Sequence, residues 1–193
     1  MTAWLLLAIP AYLLGTFPTA IVAVGRRVLD EGSGNPGASN ALRLGGKKAG
    51  VIVLLVDVAK GLIPTLVGLA IDGRGLAYVL GVAAILGHCH PASRGFRGGK
   101  GVATAAGMVG GLHPLVLLAL VLVVFVPLVR LTKKASIASL VTIVFSPIGV
   151  LLGPDRDGWE VACMAAVAAY LVVRHWANIV RLLEGEEHSI TGG

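Results

Sequence analysis

The sequence predicts an all-α integral membrane protein with seven transmembrane helices. Of its 193 residues, 56% are hydrophobic and only 13% are charged, and the mean hydropathy is +0.87. A soluble domain carries charge on about a quarter of its residues. Apolar runs long enough to cross a bilayer recur along the chain, with glycine-rich basic stretches between them. We expect residues 1–193 to form a single transmembrane domain.

The first two predicted spans are of full length and carry features that membrane helices tolerate. Pro10 and Pro18 lie in the first span and predict kinks. Asp57 and Lys60 lie in the second, three residues apart, so they share one helix face. Ionised groups inside a span are costly and usually face the protein interior in pairs. Two interpretations stay open: a ligand-facing pair, or a structural ion pair with Lys60 reaching toward the membrane surface.

The later spans are shorter and are separated by clear breaks. The third is brief, and the fourth is rich in glycine, which predicts a half-length or tilted helix that ends at His113-Pro114. A polar turn at 153–158 divides the sixth from the seventh, and the tail from Arg174 onward is amphipathic and charged. The seven predicted spans cover residues 3–24, 49–71, 75–88, 102–112, 115–130, 135–152 and 159–173.

The distribution of cations predicts the orientation. Thirteen of the sixteen Lys and Arg residues fall in the segments that follow spans one, three, five and seven. The segments after the even spans hold only Arg74 and Arg156, and Lys60 lies inside a span. The positive-inside rule then places the amino terminus outside and the carboxyl terminus in the cytoplasm. The polar motifs described below all fall on the cytoplasmic side of this map.

The stretch from Gly32 to Lys48 is the most informative of these motifs. It reads GSGNPGASNALRLGGKK and has no apolar periodicity, so residues 25–48 are predicted to form a basic loop. Backbone N–H groups at Gly34, Gly37, Gly45 and Gly46 can line an anion nest, and Arg43 can add a bidentate fork for phosphate oxygens. The alternative is a flexible turn between helices. The G-x-G-x-x-G spacing does not indicate a dinucleotide site, because a helix-length run precedes it instead of a strand.

A second glycine-rich stretch, GFRGGKGVATAAG, runs from Gly95 to Gly107. It lacks the first glycine and the final hydroxyl residue of a Walker A loop. It still predicts a helix amino end preceded by glycines, with Lys100 as a point cation, and such ends bind anions. The alternative is a basic anchor at the membrane surface, which needs the lysine but not the glycines.

Three further polar groups lie near the cytoplasmic ends of predicted spans. His88 and His90 flank Cys89, but without a third ligand the pair does not indicate a metal, and the two cysteines show no disulfide or zinc pattern. Ser136 and Ser139 share a helix face, as expected for capping and helix packing. His175 and Asn178 are also predicted to share a face at the end of span seven. Convergence of these groups on an anion predicts chemistry on a phosphorylated small molecule at the inner leaflet.

These motifs together resemble the bacterial acyl-phosphate:glycerol-3-phosphate acyltransferases, the PlsY family. The resemblance covers nearly the whole chain in order: GSGNPGASNALRLGGKKAG, then D-x-x-K-G at 57–61, Gly87-His88 with FRGGKGVAT at 96–104, SIASL at 136–140, and HWANIVRLL at 175–183. Departures from the family pattern are small, and they are Pro36, Ser39, Cys89-His90 and Trp176.

The resemblance implies transfer of a fatty acyl group from acyl phosphate to the 1-hydroxyl of sn-glycerol 3-phosphate. The product is lysophosphatidic acid, the enzyme sits in the bacterial plasma membrane, and its donor comes from an acyl-phosphate-forming enzyme. No metal, other cofactor or nucleic acid is implied. Catalytic roles are expected for Ser33, Arg43, Lys100, His175 and Asn178. Substrate or phosphate binding is expected for Gly34, Asn35, Asn40, Lys60, His88, Gly98, Gly99, Gly101, Ser136, Ser139 and Arg181.

A carrier or channel for phosphorylated metabolites is the alternative of a different class. Its selectivity site would be built from the same basic loops. Seven spans without detectable inverted repeats argue mildly against a carrier. An acyl-transfer assay on the purified protein separates the two functions.

Overall fold

The computed structural model describes residues 2–154 and 157–190, and the regular structure in this part of the chain is helical. Two 3-10 turns, Arg26–Leu29 and Ala92–Arg94, and a π-helical stretch, Leu120–Phe125, connect or interrupt the α-helices. The α-helices are α1 (Thr2–Gly15), α2 (Thr19–Val24), α3 (Ala38–Cys89), α4 (Val102–Leu112), α5 (Pro114–Ala119), α6 (Val126–Thr132), α7 (Ala135–Leu152), α8 (Gly158–Arg174) and α9 (Trp176–Leu183).

Helix α3 consists of three helical segments separated by two breaks. Gly46 has φ 76° and Gly73 has φ 71°, and Asp72 also departs from helical geometry. Positive φ is readily adopted only by glycine, so these positions are where the chain can change direction. The second and third segments, 47–71 and 74–89, correspond to predicted spans two and three.

The helices have the length and composition that the integral membrane class predicts. Within the described residues, four helical stretches are long and apolar enough to cross a membrane, and a bent pair, Gly158–Arg174 with Trp176–Leu183, makes a fifth. The broken α3 counts once among the four, and α4, with 11 residues, is too short to be counted. A helical segment is present at each of the seven predicted spans. The four stretches are Trp4–Val24, Ala38–Arg94, Pro114–Thr132 and Ala135–Leu152.

The prediction of a loop over residues 25–48 is wrong in its second half. Residues 38–45 are helical and form the first segment of α3. Ala41 in this segment is fully buried and packs in a cluster with Val28 and Val53. Contacts with distant residues therefore stabilise a helix that the glycines and polar residues of this stretch did not predict.

The chain divides into two compact units, Met1–Leu112 and His113–Gly193. In the first unit, α1, α2 and α4 all pack on α3. Glycine permits the closest approaches: a Cβ at Gly61 would overlap the carbonyl oxygen of Thr104, and one at Gly107 would overlap that of Val58. Small residues let helix backbones come together in this way inside membranes.

In the second unit, α7 is the central helix. It packs against α8 and against the helix formed by α5, the π-helical stretch and α6. His113-Pro114 starts this unit, as the sequence predicted, with Pro114 in the first turn of α5. The segment after α9 returns to the start of α7, where the N–H of Ile190 donates to the carbonyl oxygen of Lys133 at 2.9 Å. The tail thereby becomes part of the folded unit.

Candidate active site

A buried ion pair lies at the centre of the first unit. The Lys60 Nζ is 2.6 Å from Asp57 Oδ1, and both side chains are 3% exposed. Lys60 also donates to the carbonyl oxygen of Phe17 at 2.7 Å, and Thr19 donates to Asp57 Oδ1 at 3.0 Å. The shared helix face is confirmed, and the Lys60 ammonium is held inside the protein. A charge pair that is removed from water in this way requires these added hydrogen bonds.

The second glycine-rich stretch forms a loop that leads into α4, as predicted. The 3-10 turn Ala92–Arg94 begins it, and Gly101, with φ 84°, precedes the first residue of α4. The N–H of Gly99 donates to the carbonyl oxygen of His88 at 3.1 Å. Lys100 is half-buried between Gly99 and Gly101. The first N–H groups of α4 have no partner within the helix, so this end can bind an anion.

The loop before α3 is held by the side chain of Asn40. This residue is 1% exposed, and its Nδ2 donates to the carbonyl oxygens of Val28 and Glu31, both at 3.0 Å. Its Oδ1 accepts from the N–H of Ser33 at 3.1 Å. Asn40 therefore shapes the loop, and Ser33 is fixed at its backbone and half-buried.

The anion nest predicted for this loop is smaller than expected. Gly34, with φ 63°, donates its N–H to the carbonyl oxygen of Glu31, and Gly37 donates to Asn35. Gly45 lies in the first segment of α3, beyond its first turn, where N–H groups serve the helix. Arg43 lies in the same segment and is half-buried.

Arg94 and Thr19 are residues of this region that sequence reasoning missed. Arg94 Nη1 donates to the carbonyl oxygen of Thr16 at 2.9 Å, and both Arg94 and Thr19 line a small cavity beside Asp57 and Lys60. Neither carried a sequence signal that distinguishes it from an ordinary loop cation or a helix-capping hydroxyl.

In the second unit, His175 and Asn178 are both buried, at 1% and 2% exposure. They do not share one continuous helix: α8 ends at Arg174, and α9 leaves at 56° to it with His175 at the junction. The carbonyl oxygen of His175 accepts from the N–H of Asn178 at 2.8 Å. Span seven was predicted as one helix, whereas the structure bends at His175, and the two residues lie close together at this bend.

The ring orientation of His175 fixes its tautomer. Its Nδ1 lies 2.7 Å from the carbonyl oxygen of Leu171. A carbonyl only accepts, so Nδ1 must carry the proton of this hydrogen bond. In the neutral ring Nε2 is then the acceptor, which is the form that a base or a hydroxyl-orienting group needs.

Glu187 holds Asn178 and Arg181, and it was missed at the sequence level because acidic residues are common in that tail. Asn178 Nδ2 donates to Glu187 Oε1 at 2.7 Å, and Arg181 Nε donates to Oε2 at 3.0 Å. Burial alone would raise the pKa of Glu187, but the hydrogen bonds, led by that of Asn178, and the charge of Arg181 hold it below its usual value. Asn178 Oδ1 is buried and accepts no hydrogen bond from the described residues.

The predicted site residues thus form two groups, one in each unit. Ser136 and Ser139 are buried on α7. Lys60 donates hydrogen bonds to Asp57 and Phe17. Asn40 donates to the backbone of the loop before α3. Among residues 2–154 and 157–190, no three His, Cys, Asp or Glu side chains are arranged to hold a metal ion.

Comparison with known proteins identifies the family. The family model for glycerol-3-phosphate acyltransferase matches residues 5–185. A glycerol-3-phosphate acyltransferase of Thioalkalivibrio sulfidiphilus is 43% identical over 95% of this chain and 92% of its own length. One of Pseudomonas paraeruginosa is 42% identical over 94% of this chain and 97% of its own length.

Solved structures agree with these relatives. The crystal structure of PlsY (YgiH), an integral membrane glycerol 3-phosphate acyltransferase, in its glycerol 3-phosphate form has a TM-score of 0.91 and 35% identity, covering 97% of this chain and 95% of that one. Its lysophosphatidic acid form has a TM-score of 0.87 with the same identity and coverage. The match spans both units and all the motifs described above. The chain belongs to the glycerol-3-phosphate acyltransferase family of integral membrane enzymes.

Proposed function

We propose that this protein transfers a fatty acyl group from acyl phosphate to the 1-hydroxyl of sn-glycerol 3-phosphate, releasing lysophosphatidic acid and inorganic phosphate. The observation that carries the proposal is the similarity over 97% of the chain to PlsY in a glycerol 3-phosphate form and a lysophosphatidic acid form. Those two molecules are the acceptor and the product of such a transfer. Two glycine-rich, cationic segments suit a reaction that handles two phosphate groups.

The reaction needs no covalent acyl-enzyme. The acceptor hydroxyl oxygen attacks the carbonyl carbon of the mixed anhydride, the bond from that carbon to the phosphate oxygen breaks, and phosphate leaves with the electron pair. The hydroxyl proton passes either to phosphate or to His175 Nε2. Because the donor is already activated, positioning and charge stabilisation supply the catalysis.

Each group of residues has a part in this scheme. In the first unit, Lys100 and Arg43 bind phosphate oxygens together with the main chain at Gly34, Asn35, Gly98, Gly99 and Gly101, and Ser33 contributes a hydroxyl. In the second unit, Asn178 Oδ1 accepts from the acceptor hydroxyl, and His175 orients it or takes its proton. Arg181, Ser136 and Ser139 support the acceptor side.

The membrane setting completes the proposal. The amino terminus lies outside, the carboxyl terminus lies in the cytoplasm, and residues 1–193 work as one domain in the bacterial plasma membrane. Thirteen of the sixteen cations then lie on the cytoplasmic side. Soluble glycerol 3-phosphate enters from that side, while the acyl donor arrives through the bilayer from an acyl-phosphate-forming enzyme.

The deciding experiment uses purified protein in detergent with palmitoyl phosphate and radiolabelled sn-glycerol 3-phosphate. We expect labelled lysophosphatidic acid and one phosphate released for each molecule formed. Palmitoyl-CoA in place of palmitoyl phosphate is the matched control and should give no product. Glycerol 3-phosphate uptake into proteoliposomes without acyl transfer would contradict the proposal and support a carrier.

A further inference from the structure

The buried ion pair of α3 reaches the glycine-rich loop through His88. The Nδ1 of His88 is 3.8 Å from Asp57 Oδ1, and its carbonyl oxygen accepts from the N–H of Gly99. The ring also packs directly on Gly99, since a Cβ at this position would overlap the imidazole Nε2. His88 therefore contacts the ion pair on one side and the main chain of the loop on the other.

The position of the Asp57 carboxylate is strongly determined. It accepts from Thr19 and Lys60, and Lys60 is held in turn by the carbonyl oxygen of Phe17. Asp57 and Lys60 are both buried. Moving either charge would leave the other buried without its counter-ion, which is costly. Such a pair is a rigid support for whatever packs against it.

The space beside the pair is too small for a substrate. Asp57, Lys60, His88, Arg94 and Gly99 all line a cavity of about 10 Å³. A cavity of this size holds roughly one water molecule. A phosphate group with its four oxygens does not fit in this cavity.

We propose that Asp57, Lys60 and His88 are positioning residues for the glycine-rich loop that leads into α4, and that they do not touch substrate. The ion pair fixes the imidazole, and the imidazole fixes the main chain of Gly99. That main chain sets where Lys100 and the amino end of α4 meet a phosphate oxygen. The inference deepens the proposed function and rests on it, and it changes the expected role of Lys60 and His88 from ligand contact to support.

The first test separates a supporting lysine from a phosphate-binding one. Lys60→Met leaves the Asp57 carboxylate buried without its cation, and we expect kcat/KM to fall about 100-fold or the protein to misfold. Asp57→Asn with Lys60→Met removes both charges and keeps an oxygen that can accept from Thr19. We expect this double variant to stay within about tenfold of the parent enzyme, because a neutral, hydrogen-bonded pair still supports the imidazole. A misplacement of a site group by about 1 Å would instead cost about 100-fold. A folded double variant that loses as much activity as Lys60→Met alone would overturn the proposal, because removal of the unpaired carboxylate would then restore nothing and the charge of Lys60 itself would act on substrate.

The second test examines the contact between His88 and Gly99 and does not depend on the ion-pair variants folding. Gly99→Ala forces the loop away from the ring, and we expect at least a tenfold rise in KM for the one substrate whose phosphate the loop binds. His88→Ala with Gly99→Ala gives the new methyl group room, so its KM should lie well below the product of the two single effects. Independent, multiplying effects would show that His88 does not act through Gly99. Thermal midpoints of all variants identify a loss that is only structural.

Failure of this inference and failure of the proposed function can be told apart. The parent enzyme is assayed first, with both Michaelis constants measured. If it transfers no acyl group, the proposed function fails, and the same variants are compared by the rise in thermal midpoint that sn-glycerol 3-phosphate or inorganic phosphate produces. A less-than-multiplicative loss of that binding in the His88 and Gly99 pair would still support the positioning network, and independent losses would reject it.

Discussion

Replacing Glu187 by glutamine should loosen the carboxyl-terminal tail and lower activity through Asn178. The carboxylate accepts from Asn178 Nδ2 at 2.7 Å and from Arg181 Nε at 3.0 Å. Its side chain is 4% exposed, whereas that of Arg181 is 22% exposed. The substitution keeps an oxygen for Asn178 but removes the charge that Arg181 meets.

The magnitude follows from these contacts. Removing one partner of a fully buried ion pair costs about 3–5 kcal/mol, and a hydrogen bond to a charged group contributes about 1.5–3 kcal/mol. Arg181 can turn toward water and the introduced glutamine retains one acceptor, so we expect Glu187→Gln to lower the free energy of unfolding by about 2 kcal/mol. Glu187→Ala loses both contacts and should cost about 3 kcal/mol or more.

The pH dependence gives this prediction a direction. The folded-state pKa of Glu187 lies below the ordinary value of 4.5. Its charge therefore stabilises the fold fully above the unfolded-state pKa, and this contribution is lost as pH falls through the lower folded-state pKa. The difference in unfolding free energy between the parent and Glu187→Gln should be constant near pH 7 and should shrink below about pH 4.5.

Denaturant unfolding in detergent across pH 3–8 measures this difference, and kcat at pH 7 reports the effect on Asn178. Glu186→Gln is the matched control, because Glu186 is the exposed neighbour of Glu187. A difference that stays the same size down to pH 3, or a control that loses as much stability, would refute the assignment of the effect to the buried carboxylate.

Three further outcomes test the site and the packing. Lys100→Ala should lower the rate by on the order of 10²–10³ if Lys100 stabilises phosphate charge. The control Arg26→Ala removes an exposed cation and should change the rate little. Near-normal turnover by folded Lys100→Ala would show that Lys100 is not part of the site. Gly61→Ala places a methyl group against the Thr104 carbonyl and should cost about 1–3 kcal/mol of stability in thermal unfolding; an unchanged midpoint would show that the two helices separate easily. His175→Asn keeps polarity but cannot act as a base near pH 7, so a pH–rate profile of unchanged shape with a rate within a few-fold of the parent would assign His175 to orientation alone.

Several features of this protein follow from the sequence by itself. Hydropathy located helical segments at all seven predicted spans, and the three-residue spacing of Asp57 and Lys60 placed them on one face. The glycines before Val102 predicted the helix amino end that the structure contains. These features depend on the local chain, because helix periodicity and membrane partitioning are properties of neighbouring residues.

Other features were decided only by tertiary structure. Residues 38–45 form a helix because Ala41 packs against Val28 and Val53, which no local pattern reveals. Asn40 donates hydrogen bonds to the backbone of its own loop, a contact that no sequence pattern indicates.

The contacts of Glu187 and His88 were also decided by the tertiary structure. Glu187 reaches Asn178 only because the helix bends by 56° at His175 and the tail folds back. His88 reaches Gly99 because the loop returns to the end of α3. Contacts between residues that a turn brings together depend on the path of the chain, and a sequence pattern read along one helix does not contain that path.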